Sequence, residues 1–367
     1  MFVKTLDLLN YRNYEKLSVS LDPGTNIFYG SNAQGKTNIL EAIYMAGTTK
    51  SHRGSKDRDM IRMGEEESHV RMTADRRGNE YRIDVHLRRN KGKGFAVGGI
   101  PVRKAADLFG IVSIVFFSPE DLGIIKNGPS GRRRFLDLLL CGIDRIYMSD
   151  LSFYGKALKE RSALLKEMSL HPERTGELDV WDMQIVEYGS RIIRRRRNFI
   201  HDFREMAAEK HLLLTDGSGH VELSYEPSVT EDEFAERLYA GRDSDIRMRS
   251  TGIGPHRDDM AVISNGLDLR PFGSQGQQRT AALSMKLAEI ETVKIEKHEM
   301  PVLLLDDVLS ELDRDRQNAL LSAIRDTQTL ITCTGMDESV RERLSADRIF
   351  HVKSGNVEAV KINGSIG

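Results

Sequence analysis

The sequence is poor in the features that would place it outside the interior of a cell. Only two of its 367 residues are cysteine, Cys141 and Cys333. Two thiols build neither a disulfide framework nor a structural zinc site, so a reducing, cytoplasmic setting is the expectation. No uncharged apolar run approaches the ~18–20 residues of a membrane span, and no membrane association is expected. The opening MFVKTLDLLN lacks the apolar stretch of a signal peptide. An excess of one charge is missing too: 54 Lys+Arg against 55 Asp+Glu leave −1. That excludes a uniformly basic coat for nucleic acid, so any basic footprint is local. No internal repeat or low-complexity tract is visible. What remains is ordinary: 39% hydrophobic residues plus 31 glycines, enough to build a core. The length is that of roughly two domains.

The charge balance hides a gradient. About 19 basic and 13 acidic residues precede Ser118, whereas the rest of the chain is mildly acidic. A polyanion would therefore meet the N-terminal third first. That third reads as strands: the apolar run Asn26 to Tyr29, the alternating Tyr81 to Leu87, and the continuous Ile111 to Phe117. Gly98-Gly99 punctuates a hairpin between FAV and IPV. From Leu136 to about Leu214 apolar residues recur at helical spacing, and Pro172 and Gly176 split the stretch into two long pieces of a hairpin. Val221 to Val229 reads as extended, and Thr230 as a helix N-cap. Strand and helix then alternate again: strand Pro301 to Leu305, helix Gln317 to Ile324, strand Thr329 to Thr334. The pattern predicts an α/β fold interrupted by a helical excursion.

Gly30-Ser31-Asn32-Ala33-Gln34-Gly35-Lys36-Thr37 satisfies G-x-x-x-x-G-K-[ST], with the strand NIFY running in and the amphipathic segment NILEAIYMAG running out. Gly30 and Gly35 let the loop wrap a phosphate with its amides inward, over a helix N-terminus. Lys36 supplies a full charge to the β- and γ-phosphates, and the Thr37 hydroxyl a ligand for Mg²⁺. A second element is the apolar run from Pro301 that ends in Asp306-Asp307. Adjacent carboxylates at a strand tip are costly without a cation. Asp306 is placed to hold Mg²⁺, and Asp307 to orient or deprotonate the attacking water. Taken alone, the segment is equally an ordinary capped strand end. About 270 positions separate Lys36 from Asp306, more than a mononucleotide fold of ~150 residues needs. The expected division is therefore a discontinuous head, 1–120 and 251–367, with an inserted, mostly helical arm at 121–250. A third element, Phe272 to Arg279 (FGSQGQQR), places small residues and amides before a helix, again a site for anions.

GSQGQQRT resembles the signature motif of ABC-type ATPases, and VLSELD (Val308 to Asp313) their D-loop. LLNYRNY, SHRGSKDRDMI, FSPEDL, RRRFLD, GPHRDD and LLLDDVLSELD are together similar to the RecF family of SMC-like bacterial repair ATPases. The resemblance implies an ABC-type, SMC-like P-loop head with a short helical arm. It also implies ATP and Mg²⁺ as cofactors, an ATP-dependent homodimer, and weak DNA-stimulated hydrolysis. The implied partners are double-stranded DNA and single-strand/double-strand junctions, RecR with RecO, and indirectly RecA. The implied setting is recombinational repair, replication restart and the SOS response. Carried onto this chain, residues 30–37 hold the triphosphate. Ser274, Gly276 and Gln277 meet the γ-phosphate of the opposite subunit, while Arg12 and Asn13 touch phosphate from the side. Asp307 stands where many ABC ATPases carry Glu; being one methylene shorter, it implies slow turnover.

The chain departs from the pattern twice. Ser118-Pro119-Glu120 occupies the stretch of the usual lobe-crossing glutamine, and TLITCT offers Thr332, Cys333 and Thr334 in place of a histidine. Several basic residues are open to two readings. The run Arg194 to Arg197 is a DNA contact or a solvated helical face paired with Glu187, Asp202 and Glu205. Arg132 to Arg134 contact DNA or bridge the arm root. Arg76, Arg77, Arg88, Arg89, Lys91 and Lys93 form a phosphate-contacting rim or ordinary charged turns. His256 and Arg257, bounded by acids, read as a structural ion pair. The competing functional class is the ATPase subunit of a membrane transporter. A scaffold that holds ATP without turning it over is a third.

Overall fold

The structure, a computed structural model, describes residues 1–102, 107–168, 176–335 and 346–360. The chain divides into two compact units, Met1–Pro119 with Glu289–Gly367, and Glu120–Ala288. The first begins with strands β1 (Phe2–Tyr11), β2 (Tyr14–Ser20) and β3 (Thr25–Tyr29), helix α1 (Lys36–Thr48), then β4 (Glu67–Arg76), β5 (Asn79–Arg88), β6 (Lys91–Val97), β7 (Ile100–Val102) and β8 (Ile114–Phe117). Six of these form an antiparallel sheet in the order β2-β1-β4-β5-β6-β7. The Gly98-Gly99 hairpin is present: both residues have positive φ, 58° and 84°, which the primed turns of tight hairpins require. Ile111 to Ser113, expected as strand, lie outside it: a turn behind Gly110 is closed by the Ile111 amide donating to the Leu108 carbonyl. The strand begins only at Ile114.

In the second unit follow α2 (Gly123–Lys126), α3 (Pro129–Ile143), α4 (Arg145–Glu167), α5 (Leu178–Leu214), β9 (Val221–Glu226), α6 (Phe234–Ala240), α7 (Arg242–Met248), β10 (Asp259–Ser264), β11 (Leu267–Asp268), α8 (Leu269–Phe272) and α9 (Gln275–Lys297). The stretch expected as two helical pieces is three helices. The additional break is at Asp144, whose carboxylate accepts from the Ile146 and Tyr147 amides and restarts the helix. Pro172 lies outside the described residues. Tyr147, Tyr154 and Ala157 of α4 pack on Ile185, Ile192 and Ile193 of α5. β9 stops at Glu226 rather than Val229 because Pro227 has no amide to donate. The sequence division returns to the head at residue 251, whereas this unit runs on to Ala288. Its reason is pairing: β10 lies against β9 along Asp259–Ser264, and Arg132 of α3 binds Asp259.

The chain re-enters the first unit along α9 and continues as β12 (Val302–Asp306), α10 (Arg314–Ala323), β13 (Thr329–Cys333), β14 (Arg348–Lys353) and β15 (Asn356–Val360). These complete a second sheet, β15-β14-β3-β13-β12-β8, parallel except for β15. Helix α1 lies between the two sheets. Its Ile39, Leu40, Ile43 and Met45 share one core with Val70, Met72, Ile83 and Val85 on one side and Val302, Leu304 and Leu330 on the other. The segment expected to be amphipathic is therefore buried nearly all round. Among the described residues no helix is long and apolar enough to cross a membrane.

Candidate nucleotide site

Parallel strands present their C-terminal ends, with the loops that follow them, on one edge of a sheet. β3 delivers the glycine-rich loop there and β12 delivers Asp306, with β13 between them. The loop bends through residues that only that shape requires. Gly30 has φ 153° and Gly35 φ 112°. A Cβ on Gly30 would meet the Val352 carbonyl at 2.3 Å, and one on Gly35 would meet Asn13 Nδ2 at 2.5 Å and the Tyr14 hydroxyl at 2.7 Å. Ala33 is also left-handed, φ 63°. Ser31, Asn32 and Ala33 form the exposed tip. The Lys36 ammonium is buried and donates to the Gly30 and Ser31 carbonyls at 2.7 and 3.0 Å. An ammonium has three N–H donors, so one remains for an anion.

Thr37 and Asp306, 269 positions apart, are joined by a 2.8 Å hydrogen bond from the threonine hydroxyl to Asp306 Oδ1. The same oxygen accepts from the Thr332 hydroxyl at 2.7 Å, and Thr332 Oγ1 in turn accepts from the Asp307 amide at 3.0 Å. A threonine hydroxyl beside a carboxylate is the hard oxygen set that Mg²⁺ prefers. Asp307 sits in a left-handed conformation, φ 52°, and its Oδ1 is buried with no hydrogen-bond partner. Burial pushes the Asp307 carboxyl above its ordinary range, with Asp306 and Glu311 adding to the effect and Lys36 opposing it. Burial, then Asp307, also raises the Cys333 thiol to about 11. A cradle that a Cβ would fill, a carboxylate oxygen without a partner and a hard donor pair fit a Mg²⁺-bound nucleoside triphosphate. Thr37 and Asp306 would hold the ion.

Other site residues brace the loop rather than line it. Asn13 donates to the Gln34 carbonyl at 3.0 Å and accepts from Asn38 at 2.8 Å, while the Tyr14 hydroxyl donates to the Gly35 carbonyl. Gln34 Oε1 accepts from the Ser354 amide in the β14–β15 turn. Arg12 is committed elsewhere: its guanidinium grips Glu41 bidentately at 2.8 Å and also reaches Ser55 and the Asp59 carbonyl. Thr332 was missed as a site residue by sequence reasoning, which saw on that strand only an absent histidine. The threonine present there holds the Asp306 carboxylate and the backbone amide of Asp307. Its signal is the strand register, Thr332 opposite Asp306.

The signature turn belongs to the second unit. Ser274 caps α9 in a reciprocal box: its Oγ accepts from the Gln277 amide, and Gln277 Oε1 accepts from the Ser274 amide. Ser274, Gly276 and Gln277 are exposed, whereas Gln278 is buried and donates to the Leu269 carbonyl.

Many of the basic residues have partners within the chain. Arg196, from the four-arginine run, is 2% exposed. It binds Asp137 and Asp258 and donates to the Tyr147 hydroxyl and the Pro255 carbonyl. Arg195 pairs with Asp144 and Arg197 with Glu231, not with the acids nearest in sequence; Glu187 serves Arg191. Arg132 bridges Asp259 and caps the carbonyls of Ile124, Ile125 and Asn127. His256 faces the Tyr154 hydroxyl and the Thr251 carbonyl rather than an acid; burial lowers its pKa. Of the N-terminal rim, Arg76 pairs with Glu299, Lys93 with Asp57, and Arg77 donates to the carbonyls of Lys297 and His298.

Residues 2–358 match the family model described as RecF/RecN/SMC N terminal domain. The fold and the site together define an SMC-type ATPase head. The chain is 54% identical over 360 residues to the DNA replication and repair protein RecF of Agathobacter rectalis, covering 98% of this chain and 99% of that one. It is 52% identical to the protein of the same name in Lachnoclostridium phytofermentans, over 98% and 99%. A solved structure of the recombination mediator protein RecF-ATP in the RecFOR pathway superposes with a TM-score of 0.91 at 34% identity, covering 98% of each chain. The Smc head domain from Pyrococcus furiosus, at 16% identity and a TM-score of 0.57, shares the fold alone. The chain belongs to the RecF family.

Proposed function

We propose that this chain is an ATP-gated DNA-binding ATPase of recombinational repair and replication restart. Two copies close around ATP, clamp duplex DNA near single-strand gaps and, with RecO and RecR, promote RecA loading. The observation that carries the reading is the buried, unpartnered Asp307 carboxylate oxygen beside Lys36, Thr37 and Asp306. A group of this kind is suited to hold and deprotonate a water. Mg²⁺ bound to the nucleotide would neutralise charge on the β- and γ-phosphates. The chain's own part is to cradle those phosphates with residues 30–37 and to offer Ser274, Gly276 and Gln277 to the nucleotide of a second copy. On this reading residues 251–288 work with the head although they pack in the same unit as the arm at 121–250. Asn13 acts on phosphate through the loop it braces, and Arg12, gripped by Glu41, holds the β1–β2 turn that carries Asn13. Hydrolysis removes the γ-phosphate contacts and the pair loosens, a shift of population between two states. Membership of the RecF family leaves nothing to favour the transporter-subunit reading.

The test is Asp307→Asn. ATP binding is retained, hydrolysis falls about 100-fold or more, and gel filtration with ATP shows accumulated dimer. A variant that stays monomeric at saturating ATP removes the gating mechanism. DNA affinity falls steeply with salt and shows little base preference.

A further inference from the structure

We propose that Glu67, His69 and His86 form a surface site for one divalent transition-metal ion of the zinc class, separate from the nucleotide site. The antiparallel register of β4 and β5 sets His69 directly opposite His86. The two-residue period of a strand puts Glu67 on the same face as His69. The two imidazoles stack, with ring centroids 4.1 Å apart and planes 20° from parallel. Both turn Nε2 toward one carboxylate: His86 lies 2.8 Å from Glu67 Oε2 and His69 3.7 Å from Oε1. One ligand atom from each residue falls within 4.8 Å of the others. Two imidazole nitrogens and one carboxylate oxygen are a donor set for Zn²⁺, Co²⁺ or Ni²⁺ rather than Mg²⁺, which prefers oxygen alone.

The surroundings keep this trio intact. Asp84, two residues before His86 on β5, is engaged by Arg71 at 2.6 Å and Arg82 at 3.0 Å. Opposite His86 on β6 stands Gly94, which has no side chain to cover the ring. All three side chains reach solvent, so small rotamer changes suffice to converge on an ion and water completes the shell. The ion would tie β4 to β5.

The probes are Zn²⁺ by calorimetry and Co²⁺ by its visible d–d absorption, on the full chain without nucleotide. One equivalent binds with the bands of mixed nitrogen and oxygen ligation. His69→Gln and His86→Gln each weaken binding at least about tenfold, since a donor is lost. Asp306→Asn, at the nucleotide site, leaves Zn²⁺ affinity unchanged. In the unaltered protein Zn²⁺ shifts the imidazole NMR signals of His69 and His86 before any others. Equal affinity in His86→Gln, featureless Co²⁺ spectra, or unmoved signals from those two rings would each overturn the proposal.

Discussion

Two helix N-termini in this chain carry the residue types that greet an anion, and they are built in opposite ways. At α1 the loop is held from outside. Asn13 from the β1–β2 turn, Tyr14 at the start of β2, Ser354 from the β14–β15 turn and the Val352 carbonyl all bear on it. At α9 the turn holds itself, because Ser274 and Gln277 satisfy each other's amides and face solvent. The first is a preorganised cradle, whose shape is fixed in part by contacts hundreds of residues away. The second is stable without a ligand and exposes its polar groups to whatever docks there. On the proposed function, preorganisation suits the half that binds nucleotide first, and local capping the half that waits for a second molecule.

That contrast can be broken most severely at Lys36. Lys36→Met removes the only full charge in the cradle, and fluorescent-nucleotide titration is expected to show no saturable ATP binding. Gly35→Ala comes next: the residue sits at φ 112° with its would-be Cβ 2.5 Å from Asn13. Strain of about 1–3 kcal/mol should weaken nucleotide binding roughly 10- to 100-fold, and wild-type affinity would show that the loop is not rigid. Ser274→Ala sharpens the other side. Losing one half of the cap costs about 1 kcal/mol of stability, read as a small drop in thermal midpoint. Monomeric ATP binding is unchanged while ATP-dependent dimerisation is lost; normal dimerisation would leave the turn with a capping role only.

The smallest effect is one of pH. Burial raises the Asp307 carboxyl, so the protonated form persists to higher pH than for a free aspartate. Raising pH through that value ionises the base and speeds turnover, and lowering it slows turnover. The acid limb of the rate profile is therefore expected above the unperturbed aspartate value of about 3.9. A limb at or below it would exclude Asp307 as the base.

The phosphate loop was legible because its meaning is local: eight consecutive residues, a strand before and a helix after. The Gly98-Gly99 hairpin was legible for the same reason. The arginine run was not. Four consecutive positions point round a helix, and only packing decided that Arg196 is buried while Arg195 and Arg197 reach outward to Asp144 and Glu231. Arg12 shows the same limit: beside a phosphate loop it reads as a ligand, yet Glu41, 29 positions on, takes its guanidinium.

By itself, then, the sequence determined that a glycine-rich phosphate loop, an acidic strand end and a small polar turn before a helix exist, since each is written in neighbouring residues whose backbone and charge demands are intrinsic. Only the tertiary structure decided that Thr37 meets Asp306 across 269 positions, that Thr332 ties the Asp306 carboxylate to the Asp307 amide, and that two histidines and a glutamate share one face of a sheet. Strand order and register are settled by burying side chains from the whole chain in a common core, and no short window of sequence contains that sum.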